Sequence, residues 1–200
     1  MIREDGIVGC ILAGGKSSRM GKDKSLLLVD GVSLIERAAI VMREVFESVV
    51  VVSDRIDQYR FLGLSVLQDI KKNCGPLGGI HAAFVQTEAE SLFVIACDMP
   101  FVSPDLIRYI VNARSDTGAA VPTMGGRVHP LCGLYSRTSL PIIEGSLSQG
   151  IYRLQTVLKE LKPAIIPLTP ELPFYKPNLL DNLNETEDVE LAFRSMIPAA

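Results

Sequence analysis

The sequence predicts an α/β protein built on one doubly wound, mostly parallel sheet with helices on both faces. Strand-length apolar runs alternate with capped helical segments along the chain, the order that yields a parallel sheet. Those runs are continuous rather than alternating, as in strands covered on both sides. No internal repeat, low-complexity tract or second composition regime interrupts the 200 residues, so residues 1–200 read as a single domain with a full core.

Taken in order, the first apolar run predicts a strand over 7–12. Ser33-Leu34-Ile35-Glu36 is a capping box, so a helix follows to about residue 46. Strands are expected at 48–53 and 65–68, then a helix over 78–87 after the Gly75-Pro76-Leu77-Gly78-Gly79 turn. A buried strand at 92–97 precedes Ser103-Pro104-Asp105, which supplies an N-cap, a proline for the first helical position and an acid for the first turn. That helix should reach about residue 113. Further strands are expected at 118–122, 130–136 and 164–168, and helices at 152–161 and 187–194, the last with Thr186 as N-cap. Pro163, Pro167, Pro170, Pro173 and Pro177 mark an extended stretch that reads as a strand followed by a surface crossover. In such a sheet a ligand sits at the carboxyl ends of the strands.

Bulk properties narrow the classes of function. Hydrophobic residues make up 48% and charged residues 22%, as in a soluble globular protein. A net charge of −3 argues against a general nucleic-acid binder, which needs a broad basic surface. No apolar run has the length of a membrane span, and Met1-Ile2-Arg3-Glu4-Asp5 lacks a signal-peptide profile, so the expected location is cytoplasmic. Cys10, Cys74, Cys97 and Cys132 show no C-x-x-C spacing, so neither zinc nor a redox pair is indicated. Three of them lie in apolar runs and read as core; Cys74 is expected in a loop open to solvent.

The apolar run Val8-Gly9-Cys10-Ile11-Leu12 feeds directly into Ala13-Gly14-Gly15-Lys16-Ser17-Ser18-Arg19-Met20-Gly21-Lys22-Asp23-Lys24. Glycines let a backbone approach an anion with its N–H groups pointing inward, and Lys16, Arg19, Lys22 and Lys24 can neutralise phosphate. The loop is not a P-loop: Gly15 and Gly21 are one residue too far apart, and Asp23 follows Lys22 where Ser or Thr should bind magnesium. Nor is it a dinucleotide fingerprint, because Gly14 and Gly15 are adjacent. An ordinary basic strand-to-helix turn is the competing reading.

Other strand ends carry candidate groups. Ile95-Ala96-Cys97-Asp98-Met99-Pro100 delivers a carboxylate at a strand's carboxyl end, placed to hold a divalent metal beside phosphates, or simply to cap the turn before Pro100. Asp69, followed by Gly75-Pro76-Leu77-Gly78-Gly79, offers close approach for a base or ribose at a helix N-terminus; a solvated loop carboxylate is the alternative. Ser53 either hydrogen-bonds a nucleotide or closes a strand-end turn. Asn182 and Asn184 can bond both donor and acceptor edges of a heterocycle, or cap the last helix. His129, just before Pro130, and His81, on an apolar helix face, read from the residues alone as packing groups.

The string L-A-G-G-x-S-S-R-M-G-x-D-K over residues 12–24 resembles the signature loop of nucleotidyltransferases. With Gly14-Gly15 and Asp23-Lys24-Ser25-Leu26-Leu27 included, it is most similar to the MobA family of molybdenum cofactor guanylyltransferases. Four further segments resemble that family in order: Asp69 with G-P-L-G-G, the Asp98-x-Pro100 strand end, Arg127-Val128-His129-Pro130-Leu131, and Asn182-Leu183-Asn184 with Thr186 and Asp188. Two depart from its pattern, at residues 70–74 and at Glu185 and Glu187.

The resemblance implies a Rossmann-like nucleotidyltransferase fold. It also implies transfer of GMP from GTP to the terminal phosphate of molybdopterin cofactor, with release of pyrophosphate. Arg19, Lys24 and Asp98 would be catalytic, with Asp98 holding Mg²⁺. Leu12, Ala13, Gly14, Gly15, Lys24, Ser53, Asp69, Gly75 and Asp98 would bind the nucleotide, and Asn182 and Asn184 the acceptor. Residues 137–163 match least well and are expected to contain the acceptor loop. Implied partners are GTP, the molybdopterin cofactor, and molybdoenzymes or cofactor-insertion proteins, with no nucleic acid or membrane. The L-A-G-G form leans toward guanylyl over cytidylyl transfer. Transfer with CTP or onto a sugar phosphate, and a non-catalytic nucleotide-binding module of the same fold, remain the alternatives.

Overall fold

A computed structural model describes residues 6–14, 24–114 and 117–183. In chain order its strands are Ile7–Leu12 (β1), Leu28–Val29 (β2), Val32–Ser33 (β3), Ser48–Val52 (β4), Ser65–Leu67 (β5), Ser91–Ala96 (β6), Ala119–Met124 (β7), Arg127–Val128 (β8), Cys132–Ser136 (β9) and Ala164–Pro167 (β10). The α-helices are Leu34–Val45 (α1), Gly75–Gln86 (α2), Pro104–Asn112 (α3), Leu140–Ser148 (α4) and Leu154–Leu161 (α5). Short 3₁₀ turns cover Lys24–Leu26, Ile56–Leu62 and Arg137–Ser139.

The main sheet has the order β10-β7-β9-β6-β1-β4-β5, with β8 paired to β7. β6, β1, β4 and β5 run parallel, β10 is parallel to β7, and β9 lies antiparallel between β6 and β7. Successive strand residues alternate between two cores, as the two-residue strand period requires. Ile11, Val49, Val51, Phe93 and Ile95 pack with α1 and α3 on one face, whereas Cys10, Leu12, Val50, Val52 and Val94 pack with α2, α4 and α5 on the other. Phe46 and Phe93 stack at 5.6 Å in the first core. The mostly parallel, doubly covered sheet is the predicted one. Burial pushes the Cys10 and Cys132 thiols up to about 12, which keeps them inert as core groups.

Four local expectations need correction. α2 begins at Gly75 rather than at 78: Gly75 takes φ +60, Pro76 occupies the first turn, and the glycines lie within the helix. Gly79 has a packing reason to be there, because a Cβ on it would lie 2.9 Å from a Leu12 methyl. Cys74 is the N-cap of α2 and is buried, not open to solvent. Residues 137–163 hold the expected helix, here α5, and also α4, a helix that the local sequence does not predict, both on the second core. α4 was obscured by Pro141 and Gly145, but Pro141 sits in the first turn, where its missing N–H costs nothing, and buried Ile143 and Leu147 hold the helix. The β2–β3 hairpin also escaped notice, although Asp30 (φ 50) and Gly31 (φ 77) are the Asp-Gly pair that a tight hairpin turn demands. The helix expected over 187–194 and its cap Thr186 lie outside the described residues. No helix among the described residues is long and apolar enough to cross a membrane.

Arg137 ties the second layer together. Its guanidinium donates to the carbonyls of Phe84, Thr87 and Ala89 at 2.6–3.0 Å, closing the C-terminal end of α2.

The capping box of α1 is formed as the sequence predicts. The backbone N–H and the hydroxyl of Ser33 donate to Glu36 Oε2 at 2.9 and 2.5 Å, and Glu36 N–H donates back to Ser33 Oγ. The Ser33 hydroxyl, and then its backbone N–H, hold the Glu36 carboxyl below the usual glutamate value. A depressed carboxylate pKa adds stability above its unfolded value, and that stability is lost as pH falls through the folded value. Ser33→Ala should therefore cost about 1 kcal/mol at neutral pH. The gap to the wild type should narrow as pH drops below the ordinary glutamate range; urea melts at neutral pH and at about pH 3 check this.

Candidate active site

Main-chain pairing continues past the strand ends and places the candidate groups in a row. Ala13 N–H donates to Val52 O at 3.0 Å, Cys97 N–H to Leu12 O at 3.2 Å, and Ser53 N–H to Leu67 O at 2.9 Å. Gly14, leaving β1, is thereby flanked by Ser53 after β4 and by Asp98 after β6, with Asp69 beyond β5. Leu12 and Ala13 are buried, whereas Gly14 is exposed and a Cβ on it would meet no described residue within 4 Å. That open side is where the backbone can face a ligand.

Lys24 opens the 3₁₀ turn that follows the loop, and its carbonyl accepts from Leu27 N–H at 3.0 Å. The next residue anchors it: Ser25 is buried, and its hydroxyl hydrogen-bonds the buried Tyr59 hydroxyl at 2.9 Å. This anchor was missed in the sequence, where a serine after Lys24 carries no signal without its distant partner. Gly15 and Arg19 lie outside the described residues, as does Asn184.

Asp98 is half-buried, and its Oδ1 is buried with no hydrogen-bond partner among the described residues. Burial raises its carboxyl above the usual aspartate value, while its own backbone N–H and the Lys24 ammonium pull the other way. A buried carboxylate oxygen left unpartnered is costly and fits a cation site. The described residues contain no cluster of three or more His, Cys, Asp or Glu, so a metal held here would draw most of its oxygens from phosphates and water, as magnesium commonly does.

Asp69 shows the same signature on the other flank. Its Oδ1 is buried and unpartnered, and burial, then the Asp54 charge, raises its pKa against the pull of Lys72. Asp54 itself pairs with Lys72. Gly79 faces Asp69 Oδ1, with an added Cβ at 3.8 Å, and Gly75 is exposed. Ser53 is buried and its Oγ accepts from Arg55 N–H at 3.2 Å, so its hydroxyl serves the strand-end turn.

The antiparallel strand brings the remaining segments to the same edge. β9 starts where β6 ends, with Leu131 O accepting from Ala96 N–H at 3.0 Å, so residues 127–131 arrive beside Asp98. His129 N–H donates to Pro122 O at 2.9 Å. Burial, then Arg127, pushes the His129 imidazole below its usual value, while Asp181 opposes them. The 178–183 segment reaches this edge as well: Leu183 N–H donates to Asp98 O at 2.9 Å, and Asn182 is exposed next to it. His81 is buried on α2, with Nε2 3.6 Å from Glu144, and lies in the second core as expected.

A carboxyl with a raised folded pKa costs stability above that pKa, and the cost fades as pH falls toward the unfolded value. Asp98→Asn should therefore raise the melting temperature of the ligand-free protein at neutral pH by about 2–4 °C. The gain should vanish at about pH 4, near the ordinary aspartate value. Thermal melts at the two pH values, without nucleotide or metal, check it.

The MobA-like NTP transferase domain family matches residues 9–164. A protein of Pelotomaculum thermopropionicum named "Probable molybdenum cofactor guanylyltransferase" is 42% identical over 139 residues, covering 70% of this chain and 68% of that one. A protein of the same name from Carboxydothermus hydrogenoformans is 31% identical over 182 residues, covering 90% of this chain and 91% of that one. The crystal structure of molybdopterin-guanine dinucleotide biosynthesis protein A from Archaeoglobus fulgidus superposes with a TM-score of 0.79 at 26% identity, over 95% of this chain and 100% of that one. The match over residues 9–164, the relatives and the shared fold show that the chain is a nucleotidyltransferase belonging to the MobA-like NTP transferase family.

Proposed function

We propose that this protein transfers GMP from GTP to the terminal phosphate of molybdopterin cofactor and releases pyrophosphate. The observation that carries the reading is the adjacency of Gly14 and Asp98, which leave the neighbouring parallel strands β1 and β6, in a chain whose relatives are named for guanylyl transfer to the molybdenum cofactor.

The attacking group is a phosphate oxygen that is already anionic, so no general base is needed. His129, whose imidazole burial and then Arg127 push below its usual value, is given no proton-transfer role. A bond forms between the acceptor oxygen and the α-phosphorus as the bond to the pyrophosphate oxygen breaks. Catalysis then rests on alignment and charge stabilisation. The backbone of residues 12–15 cradles the nucleotide, and Arg19 and Lys24 offset the charge that builds on the α-phosphate and the leaving pyrophosphate. Asp98 would hold Mg²⁺, which would supply charge neutralisation for the phosphates. Asp69 and Gly75 receive the guanosine on the far side of β4, with Ser53 shaping the turn between. Asn182 and Asn184 face the acceptor.

Incubation with Mg²⁺, molybdopterin cofactor and each of GTP, CTP, ATP and UTP tests the reading. Pyrophosphate should be released with GTP and not with the others; release with CTP alone would assign cytidylyl transfer instead. Lys24→Ala should lower turnover on the order of 100-fold while leaving the melting temperature nearly unchanged, because a partly exposed loop cation adds little to stability. Asp98→Asn should lose activity and flatten the Mg²⁺ dependence of GTP binding.

Asn182→Ala separates the acceptor role from a capping role. Acceptor affinity should fall while GTP affinity holds. Helix capping alone would instead cost about 1 kcal/mol of stability with acceptor affinity unchanged. Melting temperature measured beside both affinities decides.

A further inference from the structure

Segments that bear the proposed chemistry converge on one small apolar cluster, distinct from the two cores that flank the sheet. Val29 comes from the hairpin that follows Lys24, Leu34 from the first turn of α1, Phe101 from the turn that follows Asp98, and Leu183 from between the two acceptor-side asparagines. All four are nearly inaccessible, and Leu27 packs against them. Backbone bonds tighten the same junction: Leu34 N–H donates to Leu27 O at 3.0 Å, and Leu27 N–H to Lys24 O at 3.0 Å. Leu183 is held twice, by its side chain in this cluster and by its N–H on the carbonyl of Asp98 at 2.9 Å. Its neighbour Asn182 is exposed.

We infer that Leu183 is a positioning residue for the acceptor: its side chain fixes where Asn182 stands relative to Lys24 and Asp98. The inference rests on the guanylyl-transfer reading above. Among the described residues three other buried side chains complete the cluster, so a truncated Leu183 leaves a gap that the 178–183 segment closes by shifting, and Asn182 moves with it. The attacking oxygen must come within about 3–3.5 Å of the α-phosphorus, so a displacement near 1 Å is felt strongly in rate. Among the described residues the cluster takes no side chain from β1, β4 or β5, the strands that precede Gly14, Ser53 and Asp69.

Steady-state transfer with GTP, Mg²⁺ and molybdopterin cofactor, with GTP binding and thermal melting alongside, tests this on Leu183→Ala, Leu183→Met, Asn182→Ala and the Leu183→Ala/Asn182→Ala pair. Leu183→Ala should raise the KM for the acceptor on the order of tenfold, with GTP affinity within about twofold of wild type. Leu183→Met, which keeps the volume, should restore most of the loss. In the Asn182→Ala background the further effect of Leu183→Ala on acceptor KM should be under about twofold, because the leucine acts through the asparagine. Full additivity of the two substitutions would overturn the inference, as would equal losses for GTP and acceptor, or a lower melting temperature with unchanged acceptor KM. Should Leu183→Ala not fold, Leu183→Val is read by the same criteria. A wild-type protein that releases no pyrophosphate from GTP overturns the guanylyl-transfer reading and this inference with it. An active wild type whose Leu183 variants show no selectivity overturns this inference alone.

Discussion

The site depends on backbone pairing that runs one residue beyond the strands. Neighbouring strands lie about 4.8 Å apart, so the turns leaving β6, β1 and β4 are spaced by that repeat and not by flexible loops. The N–H groups of Ala13, Cys97 and Ser53 each end on the adjacent strand, which fixes the order Asp98, Gly14, Ser53 across the edge. That order sets Asp98 on one side of Gly14 and, beyond Ser53, the glycine-rich start of α2 on the other.

Both edge carboxylates are held at a cost. Asp98 and Asp69 each leave a buried oxygen without a partner, and burial is the leading cause of the raised pKa in both. A protein optimised only for stability would put amides or apolar groups at these points. Two such positions flanking one glycine turn is the pattern expected where a fold sets stability aside for ligand chemistry. The inert thiols of Cys10 and Cys132, also buried, occupy apolar surroundings and leave no such unpartnered oxygen.

Much of the frame was readable because it is local. Continuous apolar runs gave the strands, and the Ser33–Glu36 and Ser103–Asp105 signatures placed α1 and α3 correctly. The family was readable because the glycines and cations of residues 12–24 cluster in sequence. Failures came where distant packing overrides local preference: α4 carries a proline and a glycine and is helical because Ile143 and Leu147 are buried. The strand order was not readable either, since nothing within 132–136 states that β9 enters the sheet reversed. That reversal is what carries His129 to the same edge as Asp98. Ser25 and Leu183 acquire meaning only through Tyr59 and through Val29, Leu34 and Phe101, partners that no spacing rule in the sequence points to.

The two outer strands of the main sheet have a consequence for how the protein behaves among its own copies. β5 is three residues long, and the carbonyl of Gln68 just beyond it is occupied by the Gln86 side chain at 2.8 Å. β10 is entered from Pro163 and ends on Pro167, so it offers few free N–H groups for a foreign strand. An open-edged sheet of this size is a template for edge-to-edge aggregation unless its margins are blunted. Here brevity protects one margin and proline the other, so replacing Pro167 would expose a sticky border without touching any residue of the active edge.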